Sequence, residues 1–421
     1  MKPEDNERLV RVGPGTPGGN LFRRYWQPAC LSSELAAPDC APVRVKLLCE
    51  DLLAFRDSNG QVGLVEAYCP HRRAPLYFGR VEECGLRCVY HGWKFDRDGN
   101  CTDLPSEPKD SPLYDQVKIK AYPTFEAGGI VWAYLGDKDT MPPPPDYEWL
   151  RAPQTHCHVS KTYEDCNYLQ GLEGGLDTAH VSFLHRDDRN AVTLLSSMDT
   201  APKLEVHPTN YGYYYVSRRQ IAPERAYIRL YQYIMPAQQM RPSVVAPSGG
   251  KQDPATIDGH IWAPIDDYST NVYNFIYSYD SEFPLTPEFI REDEEFFGRG
   301  ENDLIPGTFR LKKNLSNDYM IDRSLQHKGN YSGIVGVNTQ DYALQEGMGH
   351  IVDRSKEFLV ATDRAIVTMR RLMLEAISKV ERGEDPPGNQ PADHRGVRAF
   401  DDIVPPATTT PQMVANTVAK W

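Results

Sequence analysis

The sequence predicts an α+β protein of two domains, and three observations carry that reading. At 421 residues the chain exceeds what one hydrophobic core usually covers. From about residue 40 to 135, short β runs (VRVKLLCE, LLAFRD, VGLVEAYC, GIVWAYLG) alternate with turn residues, the pattern of a compact all-β unit. Residues 355–382 instead repeat apolar side chains at three- and four-residue spacing and end in Arg-Gly-Glu, which predicts a long C-terminal amphipathic helix.

The first 25 residues read as short helical pieces broken by GPGTPGG. That stretch matches G-x-G-x-x-G, but prolines at two variable positions remove backbone donors from a loop meant to wrap a pyrophosphate, so it reads as a plain turn. Asp57–Gly60 and Asp96–Gly99 have the composition of hairpin tips. The proline-rich segment 141–153 is a semi-rigid boundary. It divides the chain into an all-β domain at 25–145 and a second domain built from 1–24 and 146–421. Within the second, 156–165 reads as a strand, 166–186 as helix or loop-helix, 203–280 as a series of antiparallel strands, and 282 to about 310 as acidic and helix-prone. The tail after 384 reads as an extended wrap or a partly disordered end.

Composition narrows the function. A formal net charge of −12 argues against binding a phosphate backbone. No apolar run is long enough to span a membrane, and the charged start MKPEDNERLV lacks the apolar core of a secretory signal. Nine scattered cysteines fit a reducing compartment rather than a disulfide scaffold, so a cytoplasmic protein is expected.

Residues 69–93 carry the sharpest chemical signal. Cys69 and His71 form one tight pair, Cys88 and His91 a second. A Cys2His2 zinc site usually groups its thiols before its histidines, whereas each pair here is mixed. A Rieske [2Fe–2S] cluster needs that mixture, two Cys on one iron and two His on the other. A zinc knuckle is the alternative, and Cys84 with Cys88 offers a second, poorly spaced thiol pair. In the Rieske reading His71 and His91 lie near the surface, where electrons enter and leave.

A second constellation lies at 166–185. Asp177, His180 and His185 stand close together in sequence, and two imidazoles with a carboxylate are what a non-haem Fe(II) facial triad requires. Asp177 and His180 are spaced to share a helix face. His180 and His185 are not, which predicts that the helix ends or bulges between them. The remaining histidines read as structural.

Together these motifs, with RVGPGTPGGNLFRRYW at the start and DRSKEFLVATDRAIVTMRRL near the end, resemble the oxygenase components of the Rieske non-haem iron ring-hydroxylating enzymes. The resemblance implies a Rieske domain followed by a helix-grip-type catalytic domain. It implies His180 and His185 as iron ligands with Asp363 as the third. It also implies Asp177 as a residue that orients His180 and reaches a cluster histidine of the neighbouring subunit, with Asn167 and Gln170 beside the iron. A head-to-tail homo-oligomer, usually a trimer or stacked trimers, would bring one subunit's cluster to the next subunit's iron. A separate flavin/iron–sulfur reductase would supply electrons, since no flavin or nicotinamide loop is evident. O2 would be used to convert an aromatic carboxylate to a cis-dihydrodiol, or in a monooxygenation or O-demethylation. An electron carrier and a zinc-stabilised ligand-binding protein are the competing classes.

An aromatic carboxylate entering so acidic a protein needs local positive charge, best supplied by arginine. Arg218, Arg219, Arg229 and Arg241 lie in or beside the Tyr-rich strands. Alternation allows at most one of Arg218 and Arg219 to face a pocket.

Overall fold

Asp57 and Asp96 close the two hairpins on which the N-terminal β unit is built. Asp57 Oδ1 accepts hydrogen bonds from the Asn59 and Gln61 amides, and Asp96 Oδ1 from those of Asp98 and Asn100. Gly60 and Gly99 finish these turns in the left-handed region (φ 80° and 84°), which glycine enters without a Cβ clash. The first tip joins Glu50–Arg56 to Val62–Glu66 in a four-stranded sheet with Val43–Leu47 and Ala121–Tyr122. The second joins Lys94–Phe95 to Cys101–Asp103 in another, with Arg80–Glu82 and Gly85–Arg87. A three-stranded sheet of Gln27–Leu31, Ile130–Ala133 and Thr124–Ala127 completes the unit. The computed structural model describes residues 1–187, 191–243, 255–415 and 417–421, without the side chains of 191–193.

The second part is organised by one antiparallel sheet. Its order is Cys157–Glu164, Ser269–Ser278, Thr256–Asp266, Gln238–Pro242, Arg225–Ile234, Gly212–Ala222, Lys203–Pro208. The portion 244–254 of the expected strand run lies outside the described residues. The helix Tyr168–Leu176 crosses one face closely enough that a Cβ on Gly171 or Gly175 would come within 2.4 or 2.2 Å of the Trp262 ring. The glycines in GLEGGL are therefore a packing requirement.

The C-terminal helix is shorter than its periodicity suggests, Arg364–Glu381 rather than 355–382. Ala365, Ile366, Met369, Met373, Ala376 and Ile377 form its buried stripe. Upstream, Phe358 and Val360 are exposed, and the Asp363 carboxylate accepts the Val360 amide at 2.7 Å where the helix begins. Arg354, fully buried, and Arg370 both bond Glu173. Removing one partner from such a buried ionic cluster typically costs about 3–5 kcal/mol.

Both chain ends belong to this half. The short helices Pro3–Val10 and Pro17–Phe22 pack beside Tyr168, whose ring meets Phe22 edge-on at 4.7 Å and whose hydroxyl donates to Leu9 O. The proline-rich segment leads into an anchored turn, with Trp149 stacked on Phe275 at 4.5 Å. The tail wraps: Phe400–Val404 adds a strand beside Arg225–Ile234, and Trp421 Nε1 donates to Ser278 O.

Candidate metal centres

The loops after Cys69 and Cys88 are built alike. Cys69 N donates to Ala74 O and Arg73 N to Cys69 O; Cys88 N donates to Trp93 O and Gly92 N to Cys88 O. Each loop turns through a left-handed residue, Arg73 (φ 58°) and Gly92 (φ 78°). At Gly92 no side chain fits, because a Cβ would lie 2.6 Å from Pro105. Two equivalent turns thus present one thiol and one imidazole each. Cys69 and Cys88 are buried, while the His71 and His91 rings meet edge-on at 4.4 Å nearer the surface. Trp93 stacks flat on His71 and donates its indole N–H to Ser106. Burial, then the adjacent Cys88, pushes the Cys69 thiol up to about 11. Donor set and placement fit a Rieske [2Fe–2S] cluster, sulfurs inside and imidazoles outside. Cys84 sits apart, its sulfur accepting from Asn59 at a hairpin turn.

The helix Tyr168–Leu176 ends before the second group of donors. Asp177 is its extended C-cap, followed by the short turn His180–Ser182. The helix therefore ends before Asp177 rather than between His180 and His185 as expected, and Asp177 and His180 share no helix face. His180 Nε2 and His185 Nε2 lie 3.0 Å apart, and Asp341 Oδ1 lies 3.5 and 3.2 Å from them. Bonds of about 2.1 Å at right angles place neighbouring donors about 3.0 Å apart. The two imidazoles and the carboxylate fit one face of a six-coordinate metal, and they are the single such group among the described residues. Asp177 Oδ2 stands 3.7 Å from His180 Nδ1, an ion-pair rather than a hydrogen-bond distance. Burial acts to raise the Asp177 carboxyl, but His180 and the Ala179 amide hold it below the usual carboxylate range.

The sheet face beneath this group is polar. Register places Asn274 beside His260, His260 beside Gln239, and Tyr215 beside Tyr231. Tyr231 bonds Thr178 at 2.8 Å, which puts this face on the side of the histidines. Asn274 Oδ1, His260 Nδ1, both Gln239 amide atoms, the Tyr215 hydroxyl and Arg229 Nε are buried without a hydrogen-bond partner among the described residues. Burial, with Arg241 and Arg299 nearby, holds His260 well below its ordinary range and thus neutral.

Comparison with known proteins accounts for both centres. Residues 25–123 match the model of the Rieske [2Fe-2S] domain, and 133–420 the one described as LigXa C-terminal domain like. The chain is 38% identical over 400 residues to the phthalate 4,5-dioxygenase oxygenase subunit of Pseudomonas putida, covering 91% of this chain and 88% of that protein. The chain belongs to the Rieske oxygenases. The 3-chlorobenzoate-3,4-dioxygenase oxygenase subunit of Comamonas testosteroni is 37% identical over 93% of this chain and 92% of its own. Among solved structures, the Pseudomonas putida NdmA mutant with caffeine aligns at TM-score 0.61 and 18% identity over 92% of this chain and 98% of its own. Dicamba monooxygenase bound to dicamba aligns at 0.60 and 18%, over 86% and 99%; these likenesses show the fold. As a Rieske oxygenase component the protein is an oxidoreductase with a [2Fe–2S] cluster and a mononuclear iron, working with O2 and a separate reductase. Among the described residues no helix is long and apolar enough to cross a membrane.

Several residues expected at the iron of this Rieske oxygenase have other tasks. Asp363 is not the third donor: its carboxylate caps the backbone at Val360, and Asp341 on the helix Val337–Gly347 stands beside both imidazoles instead. Asn167 caps the Tyr168–Leu176 helix and donates to Val10 O and Asp267 O. Gln170 donates to Gln345 O and Gly349 O and accepts from Val352 N. Both amide N–H groups of each side chain are committed to backbone carbonyls and each oxygen already accepts a backbone N–H, so neither has a donor left for an iron-bound group.

The arginines separate equally clearly. Arg218 reaches the tail carbonyls of Pro406 and Thr408. Arg219, on the opposite face and buried, holds Thr178 O at 2.5 Å and Asp199 O at 3.2 Å. Arg241 pairs with Asp258 at 2.6 Å. Arg229 is buried with one nitrogen on Pro242 O, beside the Tyr231 ring, and belongs to the polar face. Sequence pattern leaves His260 among the structural histidines and gives no sign of Asp341, Gln239 or Asn274. The helix around Asp341 buries Asn338, Thr339, Gln340, Gln345 and Glu346, a polar inward stripe that hydrophobic periodicity cannot reveal.

Proposed function

We propose that the protein is the oxygenase of a system that hydroxylates an aromatic carboxylate, in a phthalate-type dioxygenation to a cis-dihydrodiol. The observation that carries this is the buried Arg229 on a face of neutral, unpaired polar groups that shares its side with His180 and His185. In a protein of net charge −12 such a cation is suited to a carboxylate, with His260, Gln239 and Asn274 supplying neutral hydrogen bonds. The activities for which the two relatives are named, on phthalate and 3-chlorobenzoate, support the same class.

Cys69, His71, Cys88 and His91 would hold the cluster, and His180, His185 and Asp341 the iron. When bound, the cluster supplies single electrons and the iron activates O2. The chain's own work is to bind the carboxylate, hold both imidazoles toward the metal, and shield the reaction between the sheet and the Tyr168–Leu176 helix. Exposed Phe78, Val89 and Tyr90 around His71 and His91 suit docking on another subunit, where Asp177 would meet the incoming imidazole. That supports a head-to-tail trimer, single or stacked, with a Rieske domain at 25–145 and a catalytic domain from 1–24 and 146–421, in the cytoplasm.

Monooxygenation or O-demethylation is the second reading, favoured by 31% identity over 92% of the chain to a 5,5'-dehydrodivanillate O-demethylase oxygenase subunit from Sphingobium. Oxygen uptake with reductase and a panel of phthalates, benzoates and methoxybenzoates, with product analysis, tests both. Coupled uptake confined to aromatic acids and yielding a diol is expected. Uptake with none of them would refute the carboxylate reading, and formaldehyde release would favour demethylation.

A further inference from the structure

Gln340 touches the metal site without contributing a ligand. Its Oε1 lies 2.7 Å from His185 Nδ1, and its Nε2 donates to Ile334 O at 2.8 Å. A backbone carbonyl only accepts, so the amide must turn its NH2 toward Ile334 and its oxygen toward the imidazole. An oxygen there requires a proton on Nδ1. That leaves the lone pair on Nε2, the atom facing His180 and Asp341.

The carbonyl is itself held. Ile334 O also accepts from Asn330 Nδ2 at 3.1 Å, and Gln340 N donates to Gly336 O at 3.0 Å. Gly333 and Gly336 give this loop its left-handed turns, and Tyr331 N returns to Arg186 O beside His185. The two histidines therefore differ: His185 has a short neutral hydrogen bond behind it, while His180 Nδ1 has only the carboxylate of Asp177 at 3.7 Å.

We propose that Gln340 is a positioning residue that locks His185 in the Nδ1–H tautomer and so sets the affinity of the mononuclear site. This rests on reading His180, His185 and Asp341 as the iron ligands. Outer contacts of this kind typically govern metal affinity by about 10–100-fold.

The test uses the full chain carrying its cluster, stripped of mononuclear iron by a chelator and equilibrated by dialysis against Co(II), with bound cobalt counted. Gln340→Leu removes the acceptor and is expected to weaken Co(II) binding about 10–100-fold with the cluster's EPR signal unchanged. Gln340→Glu keeps an acceptor opposite Nδ1 and is expected to bind much more tightly than Gln340→Leu. Wild-type affinity in Gln340→Leu, or an equal loss in Gln340→Glu, overturns the proposal. Should Gln340→Leu fail to fold, wild-type-like affinity in Gln340→Glu supports the proposal and a 10-fold or greater loss overturns it. Cobalt binding to His180→Ala as tight as to the wild type would instead overturn the ligand reading itself.

Discussion

His185 Nε2 and Asp341 Oδ1 stand 3.2 Å apart, the first in an irregular stretch after a short turn, the second inside a helix far along the chain. The site is therefore a tertiary product: the 177–185 segment brings two imidazoles, and a helix with a polar buried stripe brings the acid.

Gln170 ties the helix that leads to 177–185 to the C-terminal end of the Asp341 helix, and Asn167 anchors the start of the same helix to Val10 and Asp267. Gln170→Leu leaves the buried Gln345 carbonyl, the Gly349 carbonyl and the Val352 amide without their partner, at a cost of about 2–4 kcal/mol. Asn167→Ala removes a cap worth about 1 kcal/mol and two further bonds. Both variants should melt at lower temperature, while the folded fraction keeps its iron content. Iron loss at unchanged melting temperature would restore a direct role at the metal.

Arg229 and Arg218 make a paired test of substrate binding. A charged hydrogen bond to a carboxylate is worth about 1.5–3 kcal/mol, so Arg229→Gln should raise KM for an aromatic acid about 10–150-fold. Arg218→Gln, whose guanidinium serves the tail carbonyls, should change KM less than about twofold. Steady-state oxygen uptake decides between them.

Asp177 is expected to act on electron transfer. Asp177→Asn keeps the side chain's size but removes the charge facing His180. The variant should retain cluster and iron yet re-oxidise its reduced cluster at least tenfold more slowly in a stopped-flow single turnover. Normal cluster oxidation would count against the relay.

Acid should release the tail before the core unfolds. Glu148 is buried; its burial favours the neutral form, but Arg398, the Lys420 amide and the Tyr277 hydroxyl outweigh this and hold its carboxyl below the ordinary range. With the folded value below the unfolded one, near 4.3, the contact stabilises at neutral pH and is lost as pH falls through the folded value. Limited proteolysis with an acid-active protease should cut within 398–421 first below about pH 4. Arg398→Leu should bring that cleavage to neutral pH, and a tail that stays protected in this variant would argue against the contact.

Local chemistry was legible in the sequence and long-range chemistry was not. Both mixed Cys–His pairs and the hairpin tips follow from turn residues and spacing within a few positions. Asp363 is implied as a ligand by the family resemblance alone, yet its carboxylate is occupied by the backbone it caps. Asp341 carried no local signal, since its helix turns amides inward and lacks an apolar stripe. Asn167 and Gln170 are polar residues near a metal motif, and only the tertiary structure shows their groups spent on carbonyls from distant segments. Among the arginines, strand alternation separated Arg218 from Arg219 but could not say that Arg219 would be consumed by Thr178.

The measurement that bears most directly on the iron site is metal content together with the reduced-state EPR spectrum of Asp341→Ala and Asp363→Ala. Asp341→Ala should lose the mononuclear iron and oxygenation while its Rieske signal stays intact, and Asp363→Ala should keep all three. Iron retained in Asp341→Ala, or lost in a folded Asp363→Ala, would contradict the assignment of His180, His185 and Asp341 as the iron site.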